Sequence, residues 1–277
     1  MKYDITLYGF GYVGRAVWQF LEDHYQVQIF DPYYSPVAPV VDDPTIVRQK
    51  KELVQTDFAI ICVPTQPRAD GACDTSIVED VIKNSKHKYY LIKSTITPGT
   101  TKRLVKSTKK QIAFSPEYIG EGKYEIPFWK DFPHPTNMKL HQFHIFGGER
   151  SLTTKWIELW QKVAGWSPTY AQTDSTTAEL VKYMENSFLA TKKIFCDEFY
   201  NIAQSLGVDY NELKELWLLD GRNGRSMTLI YPESRGFGGK CLPKDVNAIV
   251  KCAEVAGYQP KLLKQVLASN KEFRQGK

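Results

Sequence analysis

Residues 236–245, GFGGKCLPKD, set one cysteine behind three glycines and ahead of a Pro-Lys-Asp. A thiol attacks carbon only as its thiolate, so the setting of Cys241 decides what it can do. Proline favours the first turn of a helix, and the spacing predicts a helix over 244–256 that starts beside Pro243. Cys241 would then stand just outside a helix N-terminus, next to Lys240 and Lys244, where its reference pKa of ~8.5 should fall. That setting describes a nucleophile. The plainer alternative is a small residue buried in a turn.

Further upstream, Lys182 and Asn186 are four residues apart in a stretch of helical periodicity, and so share one helix face. An ammonium and a carboxamide projecting together could bind a reacting oxygen. Equally, such a pair is common on solvated helix surfaces. Two other segments, KSTITPGT (93–100) and SPEYIGEG (115–122), each follow a strand pattern. Both therefore belong at the carboxyl edge of a parallel sheet, where ligands bind, and Glu117 and Glu121 would face that cleft.

Near the N-terminus, LYGFGYVGRAV carries Gly9-x-Gly11-x-x-Gly14 directly between a strand and a helix. The first glycine permits a tight turn, the second lets backbone approach a pyrophosphate, and the third lets helix and strand pack closely. The helix N-terminus then faces the phosphates. Asp31 ends the second strand, where a carboxylate binds the adenosine ribose hydroxyls and repels a 2′-phosphate. This combination points to NAD over NADP.

These residues need elements to position them. Strand patterns fall at 4–8, 26–30, 58–63, 89–93, 111–114, 143–146 and 169–171, with helical stretches at 12–23, 75–86, 100–108 and 152–164. Such alternation predicts an α/β fold, a Rossmann-like doubly wound parallel sheet. Residues 123–142, rich in proline and aromatics, read as a structured loop. From residue 174 the pattern changes. Residues 175–206 run without proline or glycine, opened by the capping sequence DSTTAE and closed by Gly207. Further helices are predicted at 211–219, 244–256 and 261–273. The reading is an NAD-binding domain over 1–173 and an all-α domain over 174–277, joined by one long helix.

Composition narrows the classes. The five cysteines are odd in number and scattered, with no CxxC and no Cys/His pairing, so neither a disulfide framework nor a metal site is expected. A reducing cytoplasm is the simplest setting. The net charge of +5 is spread along the chain rather than gathered on one element, which argues against nucleic acid as a partner. No signal sequence is read at the start, and no apolar run approaches the ~18–20 residues of a membrane span.

Together, GFGYVG, CVPT (62–65), KSTITPGT, SPEYIGEG, AELVKYMENSFLATK (178–192) and GFGGKCLPKD resemble the nucleotide-sugar dehydrogenases, in order over residues 5–250. That resemblance implies oxidation of a sugar C6 alcohol to a carboxylate with two NAD, as in the conversion of UDP-glucose to UDP-glucuronate. It implies Cys241 as the nucleophile that holds a thiohemiacetal and then a thioester. Lys182 and Asn186 would stabilise the oxyanion, Asp245 would move protons with Lys182 through water, Glu117 would serve thioester hydrolysis, and Thr95 would lie at the nicotinamide. The cofactor would meet Gly9, Gly11, Tyr12, Val13, Gly14, Asp31, Val63, Pro64, Thr65, Ser94, Thr95, Glu121 and Lys244. The substrate would meet Glu117, Tyr118, Ile119, Lys182, Asn186, Gly236, Phe237 and Gly238, with Arg225 reaching a partner subunit's site across a homodimer built on the long helix.

The chain also departs from the family pattern. Members usually continue into a third domain that binds the uridine diphosphate, whereas this sequence stops at Lys277, so a separate UDP-binding chain or a reduced site is expected. Ser115 stands where asparagine is usual, and Asp31 leads into Pro-Tyr-Tyr without the common basic residue. Two other readings stay open. One is a two-electron dehydrogenase of the β-hydroxyacid type, which leaves Cys241 unexplained. The other is a non-catalytic NAD-binding subunit.

Overall fold

The computed structural model describes residues 2–34, 46–120 and 136–275. Strands β1 (Ile5–Tyr8), β2 (Val27–Phe30), β4 (Phe58–Ile61), β5 (Tyr89–Ile92) and β6 (Gln111–Phe114) pair in parallel, joined in sequence with helices α1 (Tyr12–Leu21), α2 (Ser76–Asn84) and α3 (Thr100–Thr108). Their apolar runs are continuous because both sheet faces are covered. Alternate residues feed two cores: Ile5, Leu7, Ile60 and Leu91 pack with Val17 and Phe20 of α1, while Tyr8, Ile61 and Ile92 pack with Val78 of α2 and Leu104 of α3.

The sheet has eight strands in the order β3-β2-β1-β4-β5-β6-β7-β8, a doubly wound α/β arrangement. Its outer strand β3 (Ile46–Val47) has two residues, too short to leave a periodic signal. At the other side one strand pair departs from the parallel arrangement. Strand β7 (Phe143–Gly147) runs antiparallel to β6 and meets it only at Phe114 opposite Gly147. Helix α4 (Arg150–Ala164) then leads to β8 (Thr169–Thr173), which is parallel to β7. A parallel neighbour needs a crossover to the far edge of the sheet, whereas an antiparallel one only needs the chain to return at the same edge. Of the segment read as a structured loop, residues 123–135 lie outside the described residues, and the rest includes a single 3-10 turn at Met138–Leu140.

The chain forms two compact units, one of residues 1–66 and 74–182, the other of 67–73 and 183–277. The division falls inside α5 (Ser175–Ser205). Asp174 caps this helix, accepting from the Thr177 N–H at 3.0 Å. Its opening turns belong with the sheet because a side chain on Gly147 would collide with Ala178 and with the backbone at Asp174. At its far end Gly207 adopts φ +68°, and the Val208 N–H reaches back to the Ala203 carbonyl, a left-handed helix stop.

The second unit continues with α6 (Tyr210–Trp217), α7 (Cys241–Val255) and α8 (Lys261–Gln275). Here the sequence expectation shifts by three residues. Helix α7 opens on Cys241 itself, with Lys240 as its cap, so the thiol is on the first turn rather than outside it. Pro243 is tolerated as the third helical residue because the first turn's N–H groups have no helical acceptor anyway. Among the described residues no helix is long and apolar enough to cross a membrane, and no group of three His, Cys, Asp or Glu could hold a metal.

Candidate active-site residues in the two units

The first unit builds a glycine turn. Gly9 has φ +87°, and a Cβ there would come within 2.6 Å of the Cys62 carbonyl oxygen, so only glycine lets β1 turn beside β4. Gly14 is pressed on the Gly9 carbonyl, whereas a Cβ on Gly11 would meet nothing within 4 Å. Helix α1 starts at Tyr12 with no side-chain cap and no acidic residue in its first turn. Its first N–H groups and positive dipole end are therefore available to an anion. Asp31 is tethered beside this turn, accepting from the Phe10 N–H at 2.9 Å and the Tyr33 N–H at 3.0 Å. Val13 packs into the core, and Tyr12 is exposed. An open glycine turn, an uncapped helix start and a neighbouring carboxylate fit the pyrophosphate and ribose of a dinucleotide.

Other candidates gather at the carboxyl edge of the same sheet. Ser94 Oγ donates to the Val63 carbonyl at 2.7 Å, tying the segment of Val63, Pro64 and Thr65 to that of Ser94 and Thr95. Thr65 and Ser94 are buried, Thr95 is half-buried and Pro64 is exposed. After β6, Glu117 accepts from the Ile119 N–H at 2.7 Å. Lys182 of α5 donates to the Glu117 carbonyl at 2.7 Å, and its ammonium is 3.2 Å from the Glu117 carboxylate and 5.6 Å above the Tyr118 ring. Glu121 lies outside the described residues.

Three ionisable residues in this unit are not singled out by the sequence. Lys93 is buried, with Nζ 3.2 Å from Ser115 Oγ, and burial depresses its pKa to about 8. With Glu117 and His144 it lines a cavity of about 10 Å3. Burial likewise takes His144 down to about 3, so its imidazole is neutral. Glu179, fully buried, receives the Gly99 N–H at 2.5 Å and the Thr101 N–H at 2.9 Å, closing the start of α3. Burial raises its pKa against the pull of those hydrogen bonds. Glu179 sits one turn ahead of Lys182 on α5. The spacing Glu179-x-x-Lys182 was the available signal, but nothing local marks either charge as buried. A larger groove of about 540 Å3, between Tyr25, Tyr89, Lys155 and Trp166, holds none of the residues singled out from sequence.

The second unit gathers another set. Asn186 of α5 donates to Asp245 of α7 at 2.5 Å, and Lys244 approaches the other carboxylate oxygen at 2.5 Å. Asn186 and Asp245 are both buried, so the helix-surface reading of Asn186 does not hold. Cys241, one turn earlier on α7, is exposed. The glycine loop before it is pinned. Phe237 is buried among Ala190, Ile194, Val246 and Val266, while a Cβ on Gly238 would meet the Arg274 guanidinium at 2.5 Å. Arg225 forms a two-pronged pair with Glu215, at 2.9 and 2.8 Å, on the exposed surface.

Residues 45–131 match the profile described as the UDP-glucose/GDP-mannose dehydrogenase family, NAD binding domain. Residues 176–272 match the central domain of the same family. The chain belongs to the UDP-glucose/GDP-mannose dehydrogenase family. Its cofactor is NAD. A UDP-glucose 6-dehydrogenase of Rickettsia bellii (strain RML369-C) is 30% identical over 234 residues, covering 80% of this chain and 51% of that protein. The solved structure of a UDP-glucose dehydrogenase from the hyperthermophilic archaeon Pyrobaculum islandicum matches with TM-score 0.76 at 27% identity, over 98% of this chain and 68% of that one. A 3-hydroxyisobutyrate dehydrogenase of Mycobacterium tuberculosis shares the fold, with TM-score 0.67 at 18% identity, over 99% of this chain and 94% of that one. The chain spans about half the length of the curated relatives it matches.

Proposed function

We propose that this member of the family oxidises the C6 alcohol of a nucleotide sugar, UDP-glucose first among them, to the carboxylate. The observation that carries the reading is the position of Cys241, exposed on the first turn of a helix that also bears Lys244 and the buried Asp245, which accepts from Asn186 of α5. NAD, when bound, supplies the hydride acceptor for each of two oxidations, held by the Gly9–Gly14 turn and Asp31, with Val63 to Thr65, Ser94 and Thr95 along the same strand ends.

Cys241 serves the interval between those oxidations. Its thiolate adds to the aldehyde carbon, forming a C–S bond, and the oxygen takes a proton to give a thiohemiacetal. After the second oxidation the sugar is held as a thioester. Water then adds to the carbonyl carbon, the C–S bond breaks, and the thiolate leaves a free carboxylate. Lys182 and Asn186 stabilise the negative oxygen in the addition steps, where a preorganised donor lowers the barrier most. Asp245 moves protons together with Lys182 through water, and Glu117 serves hydrolysis. In this reading Tyr118, Ile119 and the loop of Gly236, Phe237 and Gly238 bind the sugar, and Lys244 is a cofactor-binding residue.

The same reading makes the chain a homodimer through its helical unit, with Arg225 reaching the partner's substrate. On α5, Met184, Phe188, Phe195, Phe199 and Ile202 form an exposed apolar stripe that Leu206 continues just past the helix end, and Leu216 and Leu219 are exposed as well. An unpaired stripe of this length is the usual mark of an interface. The cytoplasm is the proposed location.

The test is NADH formation by the purified chain given NAD and UDP-glucose. Two NADH per sugar with a carboxylate product is the expected result. One NADH per substrate would instead favour a two-electron dehydrogenase, and none, with NAD bound, a binding subunit.

A further inference from the structure

Four residues, Gly236–Phe237–Gly238–Gly239, precede Lys240 and Cys241, and such a glycine-rich segment has high backbone entropy unless something ties it down. The ties are two buried side chains. Asp197 on α5 is fully buried and accepts from the Gly236 N–H at 3.0 Å, from Arg235 Nε at 2.6 Å and from Lys193 Nζ at 2.8 Å. Arg235 in turn donates to the Asp197 carbonyl at 2.6 Å and to Asn201 at 3.1 Å, with its guanidinium over Tyr200 at 4.5 Å and Phe273 at 5.1 Å. One residue on, the Phe237 N–H donates to Asn270 of α8 at 2.7 Å. Gly236 has φ +71°, and a Cβ there would lie 2.5 Å from Asn270 Oδ1, so the turn and its two anchors fit one another closely.

A carboxylate buried with two cations loses its hydration, and apolar residues of the same volume would hold the helices together at least as well. Apolar residues could not accept the Gly236 N–H or fix the Arg235 guanidinium. We propose that Asp197 and Arg235 are positioning residues for Cys241: they hold the glycine loop so that α7 opens on the thiol. This rests on Cys241 being the reactive thiol. None of the anchoring side chains touches reacting atoms; they act through the backbone of residues 235–237.

The test reads Cys241 without needing turnover. Iodoacetamide labelling of the full chain is followed by peptide mass spectrometry across pH, so that the other four cysteines are scored separately. Wild-type Cys241 should label with a midpoint below the ordinary ~8.5 of a free thiol. In Asp197→Leu the loop loosens, the first turn of α7 frays, and the helix N-terminus no longer favours the thiolate. The midpoint should rise and labelling at pH 7 should slow about threefold or more. Asp197→Asn keeps an acceptor for Gly236 and should restore most of the wild-type profile. Should Asp197→Leu fail to fold, Asn270→Ser removes the neighbouring tie and should move the midpoint in the same direction. Either variant folded, with melting checked by circular dichroism, and with an unchanged Cys241 profile would overturn the inference. Ordinary behaviour of wild-type Cys241 would instead remove the nucleophile reading on which it rests.

Discussion

The two units make their sites by different means. In the sheet unit the geometry is mostly backbone: the Gly9 turn, the uncapped start of α1 and the strand ends that carry Val63, Ser94 and Glu117. Side chains there complete what backbone leaves open, as Glu179 does for α3. In the helical unit the glycine loop has no strand beneath it, and buried side chains from two helices hold it, Asp197 for Gly236 and Asn270 for Phe237. A backbone site is written as a short local pattern. A side-chain site is spread over distant residues, and the local pattern shows only the loop.

Four experiments separate the units, from the largest expected effect to the smallest. Cys241→Ser should abolish complete turnover while NAD affinity, measured by calorimetry, stays nearly unchanged. Loss of both together would erase the division between a cofactor unit and a thiol unit.

Within the sheet unit, two glycines of one motif should behave oppositely. Gly9→Ala forces a Cβ against the Cys62 carbonyl at φ +87° and should cost about 2–4 kcal/mol in urea unfolding. Gly11→Ala meets open space and should change stability by less than about 0.5 kcal/mol, yet weaken NAD binding about tenfold. Equal stability losses would mean that the turn is not built as described.

Glu179→Ala leaves the Gly99 and Thr101 N–H groups without their acceptor and should destabilise by about 1–3 kcal/mol. Hydrogen exchange should quicken first at the start of α3.

The last effect, comparable in size but confined to alkaline pH, concerns Lys93. Its folded pKa of about 8 lies below its ordinary 10.5, so between those values the unfolded chain binds more protons and stability rises with pH. Below about pH 8 the ammonium is charged in both states, and the burial penalty is fully present. Relative to Lys93→Met, the wild type should therefore gain about 1–3 kcal/mol as pH climbs from 8 toward 10.5. A constant difference across that window would place the ammonium in water.

How much was legible in advance follows the same division. The glycine turn, Asp31, most of the parallel strands and the long helix with its cap and stop could all be read from sequence. Helix α7 was misplaced by three residues, because Pro243 is compatible with more than one first-turn position. The antiparallel direction of β7 and the two-residue β3 left no periodic trace. Lys182 and Asn186 were recognised as sharing a helix face, but from spacing alone a solvated pair reads the same. Burial separates the cases: Lys182 is held on Glu117 and Asn186 on Asp245.

Short-range sterics are a property of neighbouring residues, so a glycine turn, a helix cap or a proline-marked helix start is present in the chain before it folds. Lys93 on Ser115, Glu179 on α3 and Asp197 on Arg235 join residues far apart in sequence. Each exists only once packing has removed water from an ionisable group and left its partner as the remaining source of compensation.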